Sequence, residues 1–226
     1  MSQPPEPDAR PYGRAAFLFL VAGGLSSLAC ASPALRLLDS LVPTGAQALL
    51  PSQGWRVYTI GDTMPGFDPH SWRLRIDGLV KRPRELGYEE LLRLPRAEQT
   101  SDFHCVTGWS VNNVRWAGVR FHDLLALADP LPQANALRFV SAEHPYEDTL
   151  TLDQALRQNA MLAYEMDGTP LSRPHGSPAR VVMPAMYGYK NVKWVERIEL
   201  VAHPSDGFWE KLGYDRDGWV GHSNAS

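Results

Sequence analysis

The hydrophobic and polar positions of this chain predict many short elements and no long one. Apolar and polar residues alternate at Trp72–Ile76 and end at Asp77-Gly78, as in a strand that runs into a turn. Another apolar run is followed by Asp167-Gly168, a pair typical of a hairpin turn. The strands predicted in this way are Trp72–Ile76, Leu137–Ser141, Met161–Met166, Ala179–Met183 and Val192–Val201.

Three short helices are predicted between these strands. Tyr88–Leu94 is stopped by Pro95, and Phe121–Ala128 ends before Asp129-Pro130. A third helix starts at Thr151, where Thr151 and Gln154 have the spacing of a capping box, and runs to Gln158. Strands and helices are mixed without a strand-helix-strand rhythm, so the pattern predicts an α+β protein.

The N-terminal end has a different pattern. Ala15–Ala31 carries no charge, follows Arg10 and Arg14, and closes with the small residues of Ala29–Ala31. Such a run is short for a membrane span and typical of an export signal. We expect residues 1–31 to be a signal peptide or N-terminal anchor, residues 32–54 to be a linker, and residues 55–226 to be a domain that works in the periplasm or otherwise outside the cytoplasm.

Composition narrows the function. The 226 residues are 44% hydrophobic and 21% charged. A chain of this length and hydrophobic content can form a buried core. The net charge of -3 provides no basic field, so no nucleic-acid partner is expected. Two cysteines without a CxxC motif exclude a disulfide scaffold.

One of these cysteines lies in the stretch that carries the most chemistry. Asp102–Trp116 has no helical period and no clean alternation, so it predicts a strand end and an irregular loop. Cys105 stands here beside His104 and Trp109, and the other cysteine, Cys30, lies in the apolar N-terminal run. These residues leave three roles open for Cys105: a buried small hydrophobe, a nucleophile or a metal ligand.

Charge is unevenly distributed along the chain. Gly168–Val195 and Phe103–His122 contain no Asp or Glu. The first of these stretches carries the basic residues Arg173, His175, Arg180, Lys190 and Lys193. Acid-free basic segments in an acidic chain predict a local anion site, and no GxGxxG or Walker-type loop points to a dinucleotide or ATP. A cofactor with a soft metal at one end and a phosphate at the other would use both the thiol and the basic loops.

Three motifs resemble the sulfite-oxidase-type molybdopterin-binding family. They are the CVTGWS sequence at Cys105 with Trp116–Gly118, the segment His175–Arg180, and the segment Tyr187–Trp194. The resemblance covers roughly Trp55–Val201. It implies an α+β fold of mixed β-sheets with short peripheral helices and long loops, and it makes residues 55–226 a molybdopterin-binding oxidoreductase domain.

The resemblance also implies a set of site residues. The cofactor would be Mo-molybdopterin, with molybdenum bound by two sulfurs of the pterin and by the Cys105 thiolate. His175 and Arg180 would bind the pterin and its phosphate. The remaining cofactor-binding residues by position are Tyr58, Ser141, Asn191, Val192 and Lys193.

Departures from the family pattern bear on the substrate. Sulfite oxidases of animals and plants carry an arginine pair where this chain has Trp109 and Ser110. That pair looks more like the bacterial protein-methionine-sulfoxide reductase catalytic subunit, which favours oxygen-atom transfer on a small or protein-bound sulfoxide over sulfite oxidation. Trp109, Arg115 and Tyr189 are candidates for the substrate face, and His104 and His122 for proton transfer.

The expected partner is a separate electron-transfer protein, such as a membrane haem protein, and the chain is expected to be a monomer. Two other functions are left open by the residues alone. One is a hydrolase with Cys105 as nucleophile. The other is a domain of the same fold without catalysis.

Overall fold

The computed structural model describes residues 54–224. The predicted export segment at residues 1–31 and nearly all of the predicted linker lie outside the described residues. Within residues 54–224, no helix is long and apolar enough to cross a membrane.

Two five-stranded sheets and a few short helices make up the described chain. The strands are β1 (Arg73–Gly78), β2 (Arg84–Gly87), β3 (Ala97–His104), β4 (Ser110–Arg120), β5 (Ala136–Ser141), β6 (Glu147–Thr151), β7 (Met161–Met166), β8 (Thr169–Pro170), β9 (Arg180–Val182) and β10 (Val195–Val201). The α-helices are α1 (Tyr88–Leu92), α2 (Phe121–Ala128) and α3 (Leu152–Ala155), and 3₁₀ turns occupy Arg173–His175, Gly188–Lys190 and Glu210–Leu212.

The first sheet has the strand order β2-β1-β10-β5-β6. Strands β1 and β10 are parallel, with Ile76 opposite Ile198, and the other neighbours are antiparallel. Leu74 and Ile76 of β1 alternate with exposed residues, which shows that this face of the strand is the one that turns to the core.

The second sheet has the order β3-β4-β7-β8, and β9 pairs with β7. Strands β3 and β4 form a hairpin, and the turn between them is Cys105–Trp109. Gly118 of β4 passes so close to β7 that a Cβ there would lie 2.1 Å from the Leu162 carbonyl oxygen, so the position requires glycine.

The main core combines residues of both sheets. Leu74 of β1, Phe139 of β5 and Leu162 of β7 are fully buried in one cluster, together with Phe121 and Leu124 of α2. Burial of each such side chain contributes about 1.5–3 kcal/mol to folding. A smaller cluster around Trp55, Trp116 and Met161 lies behind the Cys105 turn. The core therefore fixes the β3–β4 hairpin that carries the thiol.

The predicted α+β class, with mixed sheets and short helices, is confirmed. Helix α2 spans the predicted residues, and the Thr151–Gln154 capping box is present, although α3 ends at Ala155. The strand predicted from Val192 begins only at Val195, because Trp194 has a φ of 51° and breaks the extended chain.

Asp102–Trp116 was predicted as a strand end followed by an irregular loop; the strand end is present, and the irregular loop was wrong for most of its length. Strand β3 ends at His104 and strand β4 begins at Ser110. Only the five-residue turn between them is irregular.

Candidate cofactor site

An open pocket lies where three segments of the chain meet. Its empty space is about 880 Å³, part of which is open to solvent. Residues Trp55–Ile60 form one wall, the Cys105 turn forms another, and the loops from Pro174 to Lys193 form the third. Cys105, Arg180 and Lys193, which are far apart in the sequence, all line this one cavity.

The β3–β4 turn places the thiol at its start. The Cys105 N–H donates to the Trp109 carbonyl at 2.9 Å, and the Gly108 N–H donates to the Cys105 carbonyl at 3.0 Å. Gly108 has a φ of 89°, a conformation that other residues rarely adopt, so glycine suits the turn. The Cys105 Sγ lies 3.2 Å from the Thr107 hydroxyl. The turn is thus closed by the backbone, and the half-buried sulfur faces the pocket.

The thiol has the character of a ligand rather than of an activated nucleophile. Burial raises the pKa of Cys105, while Thr107, Arg56 and Trp109 act in the opposite direction. Within the described chain no histidine hydrogen-bonds its sulfur, since His104 Nδ1 pairs with the Ser110 hydroxyl at 2.8 Å. A thiol with a raised pKa is a weak nucleophile near neutrality, whereas coordination to a metal would deprotonate it outright.

Aromatic rings surround the turn on the pocket side. The Trp109 ring lies 5.8 Å from Phe103, 6.2 Å from Trp55 and 6.4 Å from Tyr58, between ring centres. The Trp109 indole N–H is buried and has no hydrogen-bond partner among residues 54–224. The space beside the sulfur is therefore bounded largely by aromatic rings, with Arg56 as a cation in the same pocket wall.

Arg180 is a buried cation at the start of β9. Its guanidinium donates to the carbonyls of His175 at 3.2 Å and of Asn191 at 3.4 Å, and it lies over the rings of Phe103 and Trp116. Burial lowers the pKa of Arg180 to about 10, so it remains charged at neutral pH. No carboxylate in the described chain lies within ion-pair distance of it.

Lys193 is the second cation of the pocket wall. Its Nζ donates to the Tyr58 carbonyl at 2.7 Å and to the Pro174 carbonyl at 3.4 Å. Desolvation, together with the charge of Arg180, lowers the pKa of Lys193 to about 7. Gly176 packs against it, because a Cβ at Gly176 would lie 2.9 Å from the Lys193 Cβ.

His175 completes this basic corner as a neutral ring. Its ring centre lies 5.0 Å from that of Trp55. Burial and the charges of Arg180 and Lys193 lower its pKa to about 3, so it is uncharged near pH 7. A neutral imidazole can both donate and accept a hydrogen bond, as a pterin ring requires.

The two pocket cations fit an anionic group. Nearby Lys190 is also buried, but it contacts both Asp148 and Glu210, the latter at 2.7 Å. Arg180 and Lys193 contact carbonyl oxygens and aromatic rings but no carboxylate. Glu143 is the one acid among the described residues that line the pocket. A cation shielded from water without a carboxylate partner is costly, and a phosphate in the pocket would neutralise the buried Arg180 and the partly buried Lys193.

Several residues predicted to bind the cofactor hold the loop instead of facing the cavity. The Asn191 side chain accepts from the Met183 N–H at 2.6 Å and donates to the Tyr187 carbonyl, although Asn191 also lines the pocket. Ser141 donates to the Lys193 carbonyl at 2.8 Å. Ser141 and Val192 are fully buried and do not line the cavity, whereas Tyr58 does.

Of the substrate-side and proton-transfer candidates, the structure brings only some to the pocket. Trp109 and Tyr189 line it. Arg115 is exposed and contacts Asp167 on another surface of the second sheet. His122 is exposed beside Asp123 on α2. Arg115 and His122 therefore have no contact with the site.

Two contributors to the pocket had no signal in the sequence. The first is Glu143, which follows β5 and reaches the backbone of Ile60 and Gly61 more than 80 positions away. The second is Trp55, whose ring meets both Trp109 and His175. Only tertiary structure brings these residues to the site. Within residues 54–224, no group of three or more His, Cys, Asp or Glu side chains is placed to hold a metal ion.

Comparison with known proteins gives consistent results. The family model described as "Oxidoreductase molybdopterin binding domain" matches residues 61–209. The chain is 37% identical over 158 residues to the uncharacterized oxidoreductase YuiH of Bacillus subtilis, a match that covers 70% of this chain and 79% of that protein. It is 34% identical to the protein-methionine-sulfoxide reductase catalytic subunit MsrP of Gluconobacter oxydans, over 70% of this chain and 56% of that protein.

More distant relatives agree. The sulfite oxidase of Arabidopsis thaliana is 31% identical, over 64% of this chain and 45% of that protein. The solved sulfane dehydrogenase SoxCD of Paracoccus pantotrophus superposes with a TM-score of 0.60 at 27% identity, over 63% of this chain and 41% of that one. The chain thus spans about half the length of its relatives among reductases, oxidases and dehydrogenases.

Proposed function

The chain belongs to the oxidoreductase molybdopterin binding domain family, and from that premise we propose that it catalyses oxygen-atom transfer at a pocket built around Cys105. Its cofactor is Mo-molybdopterin. The resemblance of the sequence motifs to this family had implied the same cofactor. The family and its relatives are oxidoreductases, which argues against the hydrolase and the non-catalytic alternatives. When bound, the cofactor supplies a metal that can exchange two electrons and an oxygen atom with a substrate.

Different residues of the pocket would bind different parts of the cofactor. The Cys105 thiolate would bind the metal, His175 would hydrogen-bond the pterin, and Arg180 and Lys193 would bind the phosphate. Asn191, Ser141 and Val192 would support that end by holding the Lys193 loop. The observation that carries this proposal is the meeting, in one cavity, of a single thiol with two cations that lack a carboxylate partner.

The substrate class follows from what surrounds the sulfur. Trp109 and Ser110 stand where sulfite oxidases carry arginines, and both are uncharged, with the Ser110 hydroxyl already paired to His104. A largely aromatic surface in place of an arginine pair suits a neutral sulfoxide better than the sulfite dianion. In the proposed reaction a sulfoxide gains two electrons and two protons and yields a thioether and water. The electrons would come from a separate redox protein.

The place of the reaction is proposed from the N-terminal sequence. The uncharged Ala15–Ala31 run and its small-residue ending favour export, so the domain would act in the periplasm or an equivalent compartment. A membrane haem protein is the proposed electron donor. Expression of the full chain and of a variant without residues 1–31 tests the location: only the full chain should reach the exported fraction.

Analysis of the full-length protein purified in native form tests the function. We expect molybdenum and pterin in equal amounts, and faster turnover of sulfoxides than of sulfite when an artificial electron carrier replaces the partner. Lys81→Met serves as a surface control, since Lys81 pairs with Asp129 away from the pocket. Protein without molybdenum and pterin would refute the proposal, and sulfite turnover faster than sulfoxide turnover would refute its substrate class.

A further inference from the structure

The Cys105 turn supplies hydrogen-bond donors to its own sulfur. The Thr107 hydroxyl lies 3.2 Å from the Cys105 Sγ and has no other hydrogen-bond partner among residues 54–224. The backbone holds this pair in place, because the Cys105 N–H donates to the Trp109 carbonyl and the Gly108 N–H donates to the Cys105 carbonyl. Thr107 also lines the pocket, so its hydroxyl and the sulfur meet at the cavity wall.

The direction of this hydrogen bond depends on the state of the sulfur. In the free thiol either atom could be the donor. A thiolate that binds a metal has lost its proton, so only the Thr107 hydroxyl can then donate. Binding of the metal would therefore turn a weak contact between two neutral groups into a charge-assisted hydrogen bond.

Trp109 brings a second donor to the same sulfur. Its indole N–H is buried and makes no complete hydrogen bond within the described chain. Burial raises the pKa of Cys105, and the donors of Thr107 and Trp109 act in the opposite direction. A buried N–H without an acceptor is costly, and a negatively charged sulfur beside it would be one.

The other polar groups around the turn do not compete for this role. Arg56 lines the pocket and acts on Cys105 through its charge rather than through a hydrogen bond. His104 Nδ1 is already paired with the Ser110 hydroxyl at 2.8 Å. Thr107 and Trp109 are thus the side chains of the turn whose donors are available to the sulfur.

We propose that Thr107 is a positioning residue that sets the reduction potential of the bound metal by donating a hydrogen bond to the Cys105 sulfur, with Trp109 as a second donor. A hydrogen bond withdraws electron density from a thiolate ligand, and a ligand that gives less density to the metal favours the reduced metal. Potentials of metal sites with thiolate ligands are set in part by such hydrogen bonds. This inference rests on the proposed function.

Thr107→Val and Thr107→Ser test the proposal as a pair. Valine has the shape of threonine without the hydroxyl, and serine keeps the hydroxyl. Thr169→Val is the matched control, because the exposed Thr169 hydroxyl donates to the Met166 carbonyl at 3.1 Å and does not line the pocket. The measurement is the midpoint potential of molybdenum in purified, loaded protein, followed by the EPR signal of the one-electron-reduced metal during a dithionite titration with mediator dyes.

We expect Thr107→Val to favour the oxidised metal about tenfold, which lowers the one-electron midpoint potential by about 59 mV. Thr107→Ser and Thr169→Val should keep the potential of the wild type. Trp109→Phe, which keeps an aromatic ring without the N–H, should shift the potential in the same direction as Thr107→Val.

A wild-type potential in Thr107→Val, or the same shift in Thr107→Ser as in Thr107→Val, would overturn the proposal for Thr107 alone. Absence of molybdenum from the wild type would overturn the proposed function instead. A hydroxyl that contacted only the substrate would give a different pattern, a raised KM for the sulfoxide with an unchanged potential. The proposal predicts a shifted potential without any substrate and a KM close to that of the wild type.

Discussion

Three cations, Arg180, Lys190 and Lys193, show how the surroundings of a side chain decide its role. Lys190 is buried between Asp148 and Glu210 and belongs to the core of the fold. Arg180 and Lys193 contact carbonyl oxygens and aromatic rings but no carboxylate, so their charge is available to a ligand. The charge pattern predicted a basic segment here, and the family resemblance singled out Arg180 and Lys193 as cofactor-binding residues. The burial of Lys190 between two acids had no signal in the sequence.

Lys193→Met should change the pH dependence of the cofactor-free protein. The pKa of Lys193 is about 7 in the folded chain against 10.5 in the unfolded one. Between these values the unfolded chain binds more protons, so the contribution of Lys193 is least favourable below pH 7 and recovers as the pH rises. Lys193→Met should therefore raise the free energy of unfolding more at about pH 6 than at about pH 9, by roughly 1–2 kcal/mol.

Urea unfolding of cofactor-free wild type and variant at both pH values measures this difference. Comparison of the two proteins cancels the opposite contribution of Asp148, whose pKa is also shifted. Lys211→Met, at an exposed lysine, should show no pH-dependent effect. The same increment for Lys193→Met at both pH values would mean that the lysine is not desolvated.

Gly176 and Gly213 allow backbone strain to be separated from the site. Both have a left-handed φ, 100° and 96°, so alanine should cost about 1–2 kcal/mol at either position. Only at Gly176 would the new Cβ meet Lys193, at 2.9 Å, whereas nothing lies within 4 Å of a Cβ at Gly213. Gly176→Ala should lose bound pterin, and Gly213→Ala should keep it; equal pterin content in both would show that contact with Lys193 is unimportant.

Among the elements, the 3₁₀ turn Gly188–Lys190 is the one that ties the pocket to the core. Gly188 and Tyr189 line the cavity, while Lys190 points the other way into the buried acids. The Tyr189 carbonyl accepts from Tyr146 at 2.6 Å, which fixes the turn from a second side. The stability of this pocket wall therefore depends on the buried contacts of Lys190 with Asp148 and Glu210.

Lys190→Met should lower the free energy of unfolding by about 3–5 kcal/mol, because it leaves two acids buried without a cation. Asp148→Asn should cost less, since Lys190 keeps Glu210 at 2.7 Å. The pKa of Asp148 is raised to about 8, so its contribution is complete below pH 4 and is lost as the pH rises through 8. Asp148→Asn should remove this fall in the free energy of unfolding between pH 4 and pH 8.

Denaturant unfolding across that pH range measures both effects. A loss for Lys190→Met no larger than for Asp148→Asn would contradict the view that the lysine neutralises a pair of acids. An unchanged pH profile in Asp148→Asn would place the titration elsewhere.

At the scale of the whole molecule, the sequence predicted the fold class and the main strands because their apolar positions alternate. It missed most of β3 and the whole of β4. The β3 residues AEQTSDFH are mostly polar, and the strand is held by pairing with β4 rather than by a buried face. Chemistry at Cys105, Arg180 and Lys193 was predicted because motifs carry it locally. The place of Glu143 in the pocket wall could not be, because its carboxylate pairs with a segment more than 80 positions away.

The central claim is that the Cys105 sulfur is a ligand of the molybdenum. X-ray absorption at the molybdenum edge, on loaded wild type and on Cys105→Ser, tests it most directly. We predict one sulfur neighbour fewer around the metal in the variant, with pterin still bound through Arg180 and Lys193 and with turnover lost. An identical sulfur shell in the two proteins would show that Cys105 does not bind the metal.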